Sequence, residues 1–217
     1  MGCLPLALLG VLLVGFLYPF ILLNVVALSF GQLGLTPEGG LLLFAVSLVG
    51  GVINIPVSRR RVVVEQARRG WFFGFIFYYP PRVREQVIAV NLGGAVVPVL
   101  FSAYLLSRVA PLAPAALATL VVAVVARAVA RPQPGIGITM PAFVPPLASA
   151  AAALLLAPGH AAAVAYIAGT VGTLLGADLL NLPAIRRMGA QMASIGGAGV
   201  FDGIFLSGMI AVLLTTA

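Results

Sequence analysis

The chain has 217 residues, of which 62% are apolar and only 8% are charged, and its mean hydropathy is +1.16. Water-soluble domains carry about a quarter charged residues, so the composition excludes a soluble domain and points to an all-α integral membrane protein. The net charge of +7 then reads as membrane topology rather than nucleic-acid binding. At about 20 residues per span, one transmembrane domain of about seven helices fills the whole length, 1–217.

In chain order, hydropathy predicts spans over 4–30, 40–57, 86–107, 111–130, 141–157, 161–182 and 198–216. The first of these lacks the basic leader and cleavage site of a signal peptide. Leu6 stands where myristoylation needs Ser or Thr, so the segment is read as a span. Breaks are expected at Thr36-Pro37-Glu38-Gly39, at Pro111, at Arg131-Pro132-Gln133-Pro134-Gly135 and at Pro158-Gly159-His160. Pro141, Pro145 and Pro146 make the fifth span the least regular. Segment 58–85 mixes arginines with Trp71-Phe72-Phe73 and Tyr78-Tyr79, the composition of an element lying at lipid headgroups. It reads either as a membrane-surface anchor or as a gate over a cytoplasmic-side site.

All twelve basic residues are arginines. With seven spans, Arg59, Arg60, Arg61, Arg68, Arg69, Arg82, Arg84, Arg127, Arg131, Arg186 and Arg187 fall on one side, and Arg108 alone on the other. The positive-inside rule places that side, and the N-terminus, in the cytoplasm. Membrane lipid is the expected partner and nucleic acid is not. A lone Cys3 and a lone His160 build neither a disulfide nor a metal site, and no cofactor is expected.

Two short patterns recur in order. Asn54-Ile55-Pro56-Val57-Ser58-Arg59-Arg60 matches Asn181-Leu182-Pro183-Ala184-Ile185-Arg186-Arg187, and Leu92-Gly93-Gly94-Ala95 matches Ile195-Gly196-Gly197-Ala198. They divide the chain into a three-helix half, 1–107, a connecting helix, 108–133, and a second half, 134–217. An odd connector makes the halves parallel, a 3+1+3 arrangement known among transporters. Equally, such patterns recur wherever helices end or pack closely.

Chemistry is expected at Asp178 and Asp202. Eight residues separate Asp178 from Arg186, about 12 Å along a helix, and a carboxylate at that depth costs roughly 2.5–3.5 kcal/mol. Spans six and seven are antiparallel neighbours, so both acids can lie at similar depth. The repeat puts Gly51 and Val99 where the acids stand, so the pair belongs to one half only. Two facing carboxyls hold one proton between them, which suits acid–base activation of water on an amide. The same pair suits a proton or cation relay, or purely structural hydrogen bonding. Asn54, Asn91, Asn181, Gly196, Gly197 and Gly199 are the candidate substrate- or ion-binding residues, with a transmembrane peptide or a small solute as ligand. His160, about 27 Å from Asp178 along a helix, and Glu38 read as interfacial residues.

The stretches Pro134-Gly135-Ile136-Gly137-Ile138, Gly176-Ala177-Asp178-Leu179-Leu180-Asn181-Leu182 and Ser194-Ile195-Gly196-Gly197-Ala198-Gly199-Val200-Phe201-Asp202-Gly203-Ile204-Phe205-Leu206 resemble a family of prokaryotic membrane proteins called domain of unknown function 1614. The likeness covers most of the chain and implies a prokaryotic cytoplasmic (inner) membrane location. Asp178-Leu179 and Asp202-Gly203-Ile204-Phe205-Leu206-Ser207 also resemble the stretches around the two aspartates of presenilin and signal peptide peptidase. That likeness implies an aspartyl intramembrane protease with Asp178 and Asp202 as catalytic residues. Here Val200-Phe201 lengthens the Gly-x-Gly-Asp motif by two residues, and no late Pro-Ala-Leu occurs.

Overall fold

The structure, a computed structural model, describes residues 3–64, 71–72, 75–76, 82–133, 137–187, 192–197 and 203–216. Two helices open the chain, α1 (Cys3–Gly31) and α2 (Pro37–Gly50). Thr36 caps α2, its hydroxyl accepting from the Gly39 N–H at 3.2 Å, and Pro37 occupies the first turn, where its missing N–H costs nothing. Strand β1 (Asn54–Val64) follows, then two short strands, β2 (Trp71–Phe72) and β3 (Phe75–Ile76), and the long β4 (Arg82–Asn91). A π turn at Leu92–Val96 leads into α3 (Val97–Arg108), and Pro111 separates it from α4 (Leu112–Val129). Strands β5 (Arg131–Gln133) and β6 (Gly137–Thr139) form a small ladder before α5 (Val144–Leu156). Helix α6 (Ala161–Ile167) continues through π turns at Ala168–Gly172 and Leu174–Leu179. Short α7 (Leu182–Arg187), β7 (Met192–Ile195) and α8 (Gly203–Thr216) complete the chain.

The chain is therefore mostly helical, with the breaks at Pro111 and at Pro158-Gly159-His160 where the sequence reading put them. Among the described residues, Leu112–Val129 and the 30-residue run Pro158–Arg187 are long and apolar enough to cross a membrane. The all-α expectation is corrected where strands form, above all around β1, β4 and β7. Residues 54–57, assigned to the second span, begin β1, and residues 86–91, assigned to the third, end β4. The described residues of segment 58–85 all lie on strands. β1 and β4 pair antiparallel from Asn54↔Asn91 to Val64↔Arg82, with a bulge between Pro56 and Ser58, where proline withholds a ladder N–H. β7 adds to β4 in parallel, Val87↔Met192 to Val90↔Ile195, so the sheet order is β1-β4-β7. Runs such as Val62-Val63-Val64 and Val87-Ile88 favour a strand, but their hydropathy is that of an apolar helix.

The repeated patterns meet different fates. Asn54–Arg60 runs along β1, whereas Asn181–Arg187 turns into α7. Leu92-Gly93-Gly94 and Ile195-Gly196-Gly197 each close a strand of the parallel pair.

The main core joins the helices around Phe30, Phe101 and Tyr166, with ring centroids 5.1–6.3 Å apart. Around them the interior is built largely of alanine. A smaller cluster of Ile88, Ala95, Leu174, Ile195 and Ile204 ties the sheet to α6 and α8. Helices α4 and α6 run in the same direction and touch through small residues. A Cβ on Gly172 would lie 2.9 Å from the Thr119 carbonyl oxygen, and one on Gly176 would lie 2.2 Å from that of Ala123.

Backbone cannot yield as a side-chain tip can, so Gly176→Val must push α4 and α6 apart. The expected loss is about 1–3 kcal/mol, read as a lower thermal unfolding midpoint of the purified protein. Gly159→Ala, with open space around its Cβ position, is expected to stay within about 0.5 kcal/mol.

Candidate functional site at the glycine junction

The end of α2, the start of β1, the end of β4 and the end of β7 meet at one level of the molecule. Each change from helix to strand frees backbone N–H and C=O groups that need partners when buried. Asn91, 1% exposed, supplies several. Its Nδ2 donates to the Gly51 carbonyl at 2.7 Å and to Asn54 Oδ1 at 3.2 Å, while its Oδ1 accepts from the Gly94 N–H at 2.7 Å. Ser47 Oγ donates to the Gly93 carbonyl at 2.5 Å, and the Leu92 N–H donates to Ile53 O at 2.9 Å. Ser194 Oγ donates to Asn54 Oδ1, also at 2.5 Å, joining β7 to β1 across the sheet.

Glycine makes this approach possible. A Cβ on Gly93 would lie 1.8 Å from the Ser47 carbonyl oxygen and 2.4 Å from the Gly51 nitrogen. Gly196 has φ +89° and would place a Cβ 2.6 Å from that of Ala95. Gly197 follows with φ +93°. Both conformations belong to glycine.

Asp178 enters from the last π turn of the α6 run. Its Oδ2 accepts from the Gly196 N–H at 2.7 Å, which fastens α6 to the loop leaving β7. Asp178, Gly196, Asn91, Asn54 and Gly197 thus share one neighbourhood. Asn181 does not join them. Its Nδ2 turns back to Ala177 O at 2.9 Å and Gly176 O at 3.3 Å, closing its own helix. Asp202 and Gly199 lie outside the described residues. His160 sits exposed at the opposite end of α6.

Sequence reasoning missed Ser47 and Ser194. Serines are common inside apolar helices, and only Ser194's place just before Ile195-Gly196-Gly197 hinted at a role. Gln86 was missed too. It lies buried on β4, and its Nε2 donates to the carbonyls of Ile185 and Arg186 at 3.4 and 3.3 Å, linking the sheet to α7.

Chemically, the site offers one carboxylate held by a backbone N–H, beside glycine surfaces that admit another chain closely. Comparison with known proteins gives its family. The sequence profile described as "Protein of unknown function (DUF1614)" matches residues 48–214, and the chain belongs to that family. No curated protein and no solved structure matches it.

If Asp178 serves the fold as an acceptor, Asp178→Ala strands the Gly196 N–H and costs about 1–3 kcal/mol. Asp178→Asn keeps an oxygen there and is expected to retain most of that stability. Asn91→Ala, which abandons Gly51 O, Asn54 Oδ1 and Gly94 N together, is expected to be the most damaging of the three. Chemical unfolding of the purified variants checks this order. Equal losses for the Ala and Asn variants at position 178 would mean that the charge, not the acceptor, holds the junction.

Proposed function

We propose that this chain is a multi-pass integral membrane protein whose Asp178 and Asp202 act together as an aspartyl intramembrane protease-like hydrolase on a transmembrane peptide. The membrane reading draws support from the faces of α4. Ala115, Ala118, Ala123 and Ala126 point inward, while Leu112, Leu117, Leu120 and Val124 are exposed. Small residues inside and large apolar residues outside suit a helix solvated by lipid. The arginines agree with a cytoplasmic N-terminus. Arg60 pairs with Gln86 across the hairpin, and Gln86 reaches the Arg186 carbonyl, so two arginine clusters gather at one end.

The observation that carries the hydrolase reading is the bond from the Gly196 N–H to Asp178. It fixes a carboxylate at the head of the glycine-rich segment in which Asp202 stands six positions later. The described part of α8 packs against the α6 run. On the antiparallel pair α6 and α8, the Gly208 Cβ position meets Thr170, and Leu174 shares a buried cluster with Ile204. In this reaction one carboxylate takes a proton from water, and the water oxygen adds to the amide carbonyl. The other carboxyl gives its proton to the nitrogen as the C–N bond breaks.

Cleavage of a single-span reporter peptide by the full chain in liposomes tests the reading. Asp178→Asn and Asp202→Asn are each expected to lower the rate by about 10²-fold or more, with the unfolding midpoint of each close to that of the parent. Undiminished cleavage in both variants would sink it. A parent chain that cleaves nothing, but moves a solute in an Asp178-dependent way, would assign the pair to transport instead.

A further inference from the structure

Deeper in the helix core lies a group of neutral hydroxyls that the glycine junction does not use. Ser102, Ser149, Tyr166, Thr170, Thr173 and Ser207 are all buried. Three have protein partners. Ser149 Oγ donates to Pro146 O at 3.0 Å, and Thr170 Oγ1 bonds Tyr166 O at 2.8 Å and Ser102 Oγ at 3.1 Å. The other three, Tyr166 Oη, Thr173 Oγ1 and Ser207 Oγ, meet no hydrogen-bond partner among the described residues. Buried hydroxyls rarely stay unpaired, and where protein supplies no partner an ordered water commonly does.

These groups converge. Tyr166 and Thr170 stand one turn apart on the α6 run, where Thr170 Oγ1 bonds the Tyr166 carbonyl, and Thr173 follows on the same run. A Cβ on Gly208 of α8 would lie 2.4 Å from Thr170 Cγ2 and 3.1 Å from the Tyr166 ring. One on Gly169 would lie 3.1 Å from Ser149 Oγ and 3.3 Å from the Ser207 carbonyl oxygen. Residues from α5, α6 and α8 that carry these hydroxyls therefore pack at one crossing, with Ser102 bonded to Thr170 from α3. Thr173 sits between the two π turns, Ala168–Gly172 and Leu174–Leu179. A π turn spans five residues, so a single one carries the helix from Thr173 to Asp178.

We propose that this crossing binds a short chain of water molecules, held by Tyr166, Thr173 and Ser207, which brings water through the bundle to the Asp178 end of α6. Six neutral groups, each donor and acceptor, suit water. A bare cation would find no carboxylate among them to offset its charge. The inference goes beyond the hydrolase reading and stands whichever chemistry Asp178 performs.

Radiolytic hydroxyl-radical labelling of the full chain in oxygen-18 water tests it, because bound water generates the radical in contact with the side chain it touches. Tyr166 is expected to be labelled although it is fully buried, alongside Tyr104, which is 48% exposed and serves as the positive control. The double variant Thr173→Val, Ser207→Ala is expected to cut Tyr166 labelling several-fold and leave Tyr104 unchanged. Ser207→Ala alone replaces it if the double variant does not fold. Labelling of Tyr104 without Tyr166 overturns the proposal, as does Tyr166 labelling that ignores the hydroxyl variants. Thermal unfolding supplies an independent sign. Tyr166→Phe lowers the midpoint if the hydroxyl holds water and raises it if the hydroxyl is buried dry.

Discussion

Backbone polar groups released where helices give way to strands inside an apolar body are the constraint from which the rest of this structure follows. Between Gly50 and Asn54, between Asn91 and Val97, and between Leu179 and Leu182 the chain leaves regular hydrogen bonding. Apolar side chains cannot satisfy those groups. The protein answers with side chains carried at the breaks: Asn91 for Gly51 and Gly94, Ser47 for Gly93, Asn181 for Gly176 and Ala177, and Asp178 for Gly196. Each answer works only over a hydrogen-bond distance, so the breaks must crowd together. The glycines follow from that crowding, since any Cβ at Gly93 would overlap the backbone of α2.

The same constraint orders the sheet. Antiparallel pairing of β1 with β4 brings Asn54 opposite Asn91, which lets the two amides bond. Parallel addition of β7 delivers Ser194 to Asn54 and Gly196 to Asp178. One small sheet thus gathers residues about 140 positions apart into a single junction. That is how β1, β4 and β7 serve a chain that is otherwise helical.

Much of this was legible in the sequence, for a definable reason. Proline and glycine mark breaks through backbone chemistry alone, so Pro111 and Pro158-Gly159-His160 ended helices as read. Rare polar residues in apolar runs stand out, so Asp178, Asn54 and Asn91 were singled out, and each makes hydrogen bonds at the junction. The strands were not legible, because Ile55, Val57, Val87 and Ile88 have the hydropathy of a buried helix, and an apolar run hides the two-residue period that would betray a strand. The part Asn181 plays was not legible for a related reason. Its Asn-x-Pro setting copies that of Asn54, yet its amide faces its own helix, and local pattern cannot tell a helix-closing amide from one that reaches a neighbour.

Asn91 and Asp178 invite a direct comparison, because each accepts the N–H of a glycine just after a strand, at the same 2.7 Å. Asn91 does so with a neutral amide and satisfies two further groups besides. Asp178 meets the same local need with a carboxyl group, whose charged form is costly in apolar surroundings by roughly 2.5–3.5 kcal/mol when lipid surrounds it. An asparagine would close the Gly196 turn without that cost, so the fold accounts for an acceptor at position 178 but not for an acid. The wide π turns that carry Asp178 add to the case. They interrupt an otherwise regular apolar helix at the level where the acid meets the glycine loop, and such turns often accompany functional sites. On the reading proposed above, position 178 carries an acid rather than an amide because proton transfer needs one.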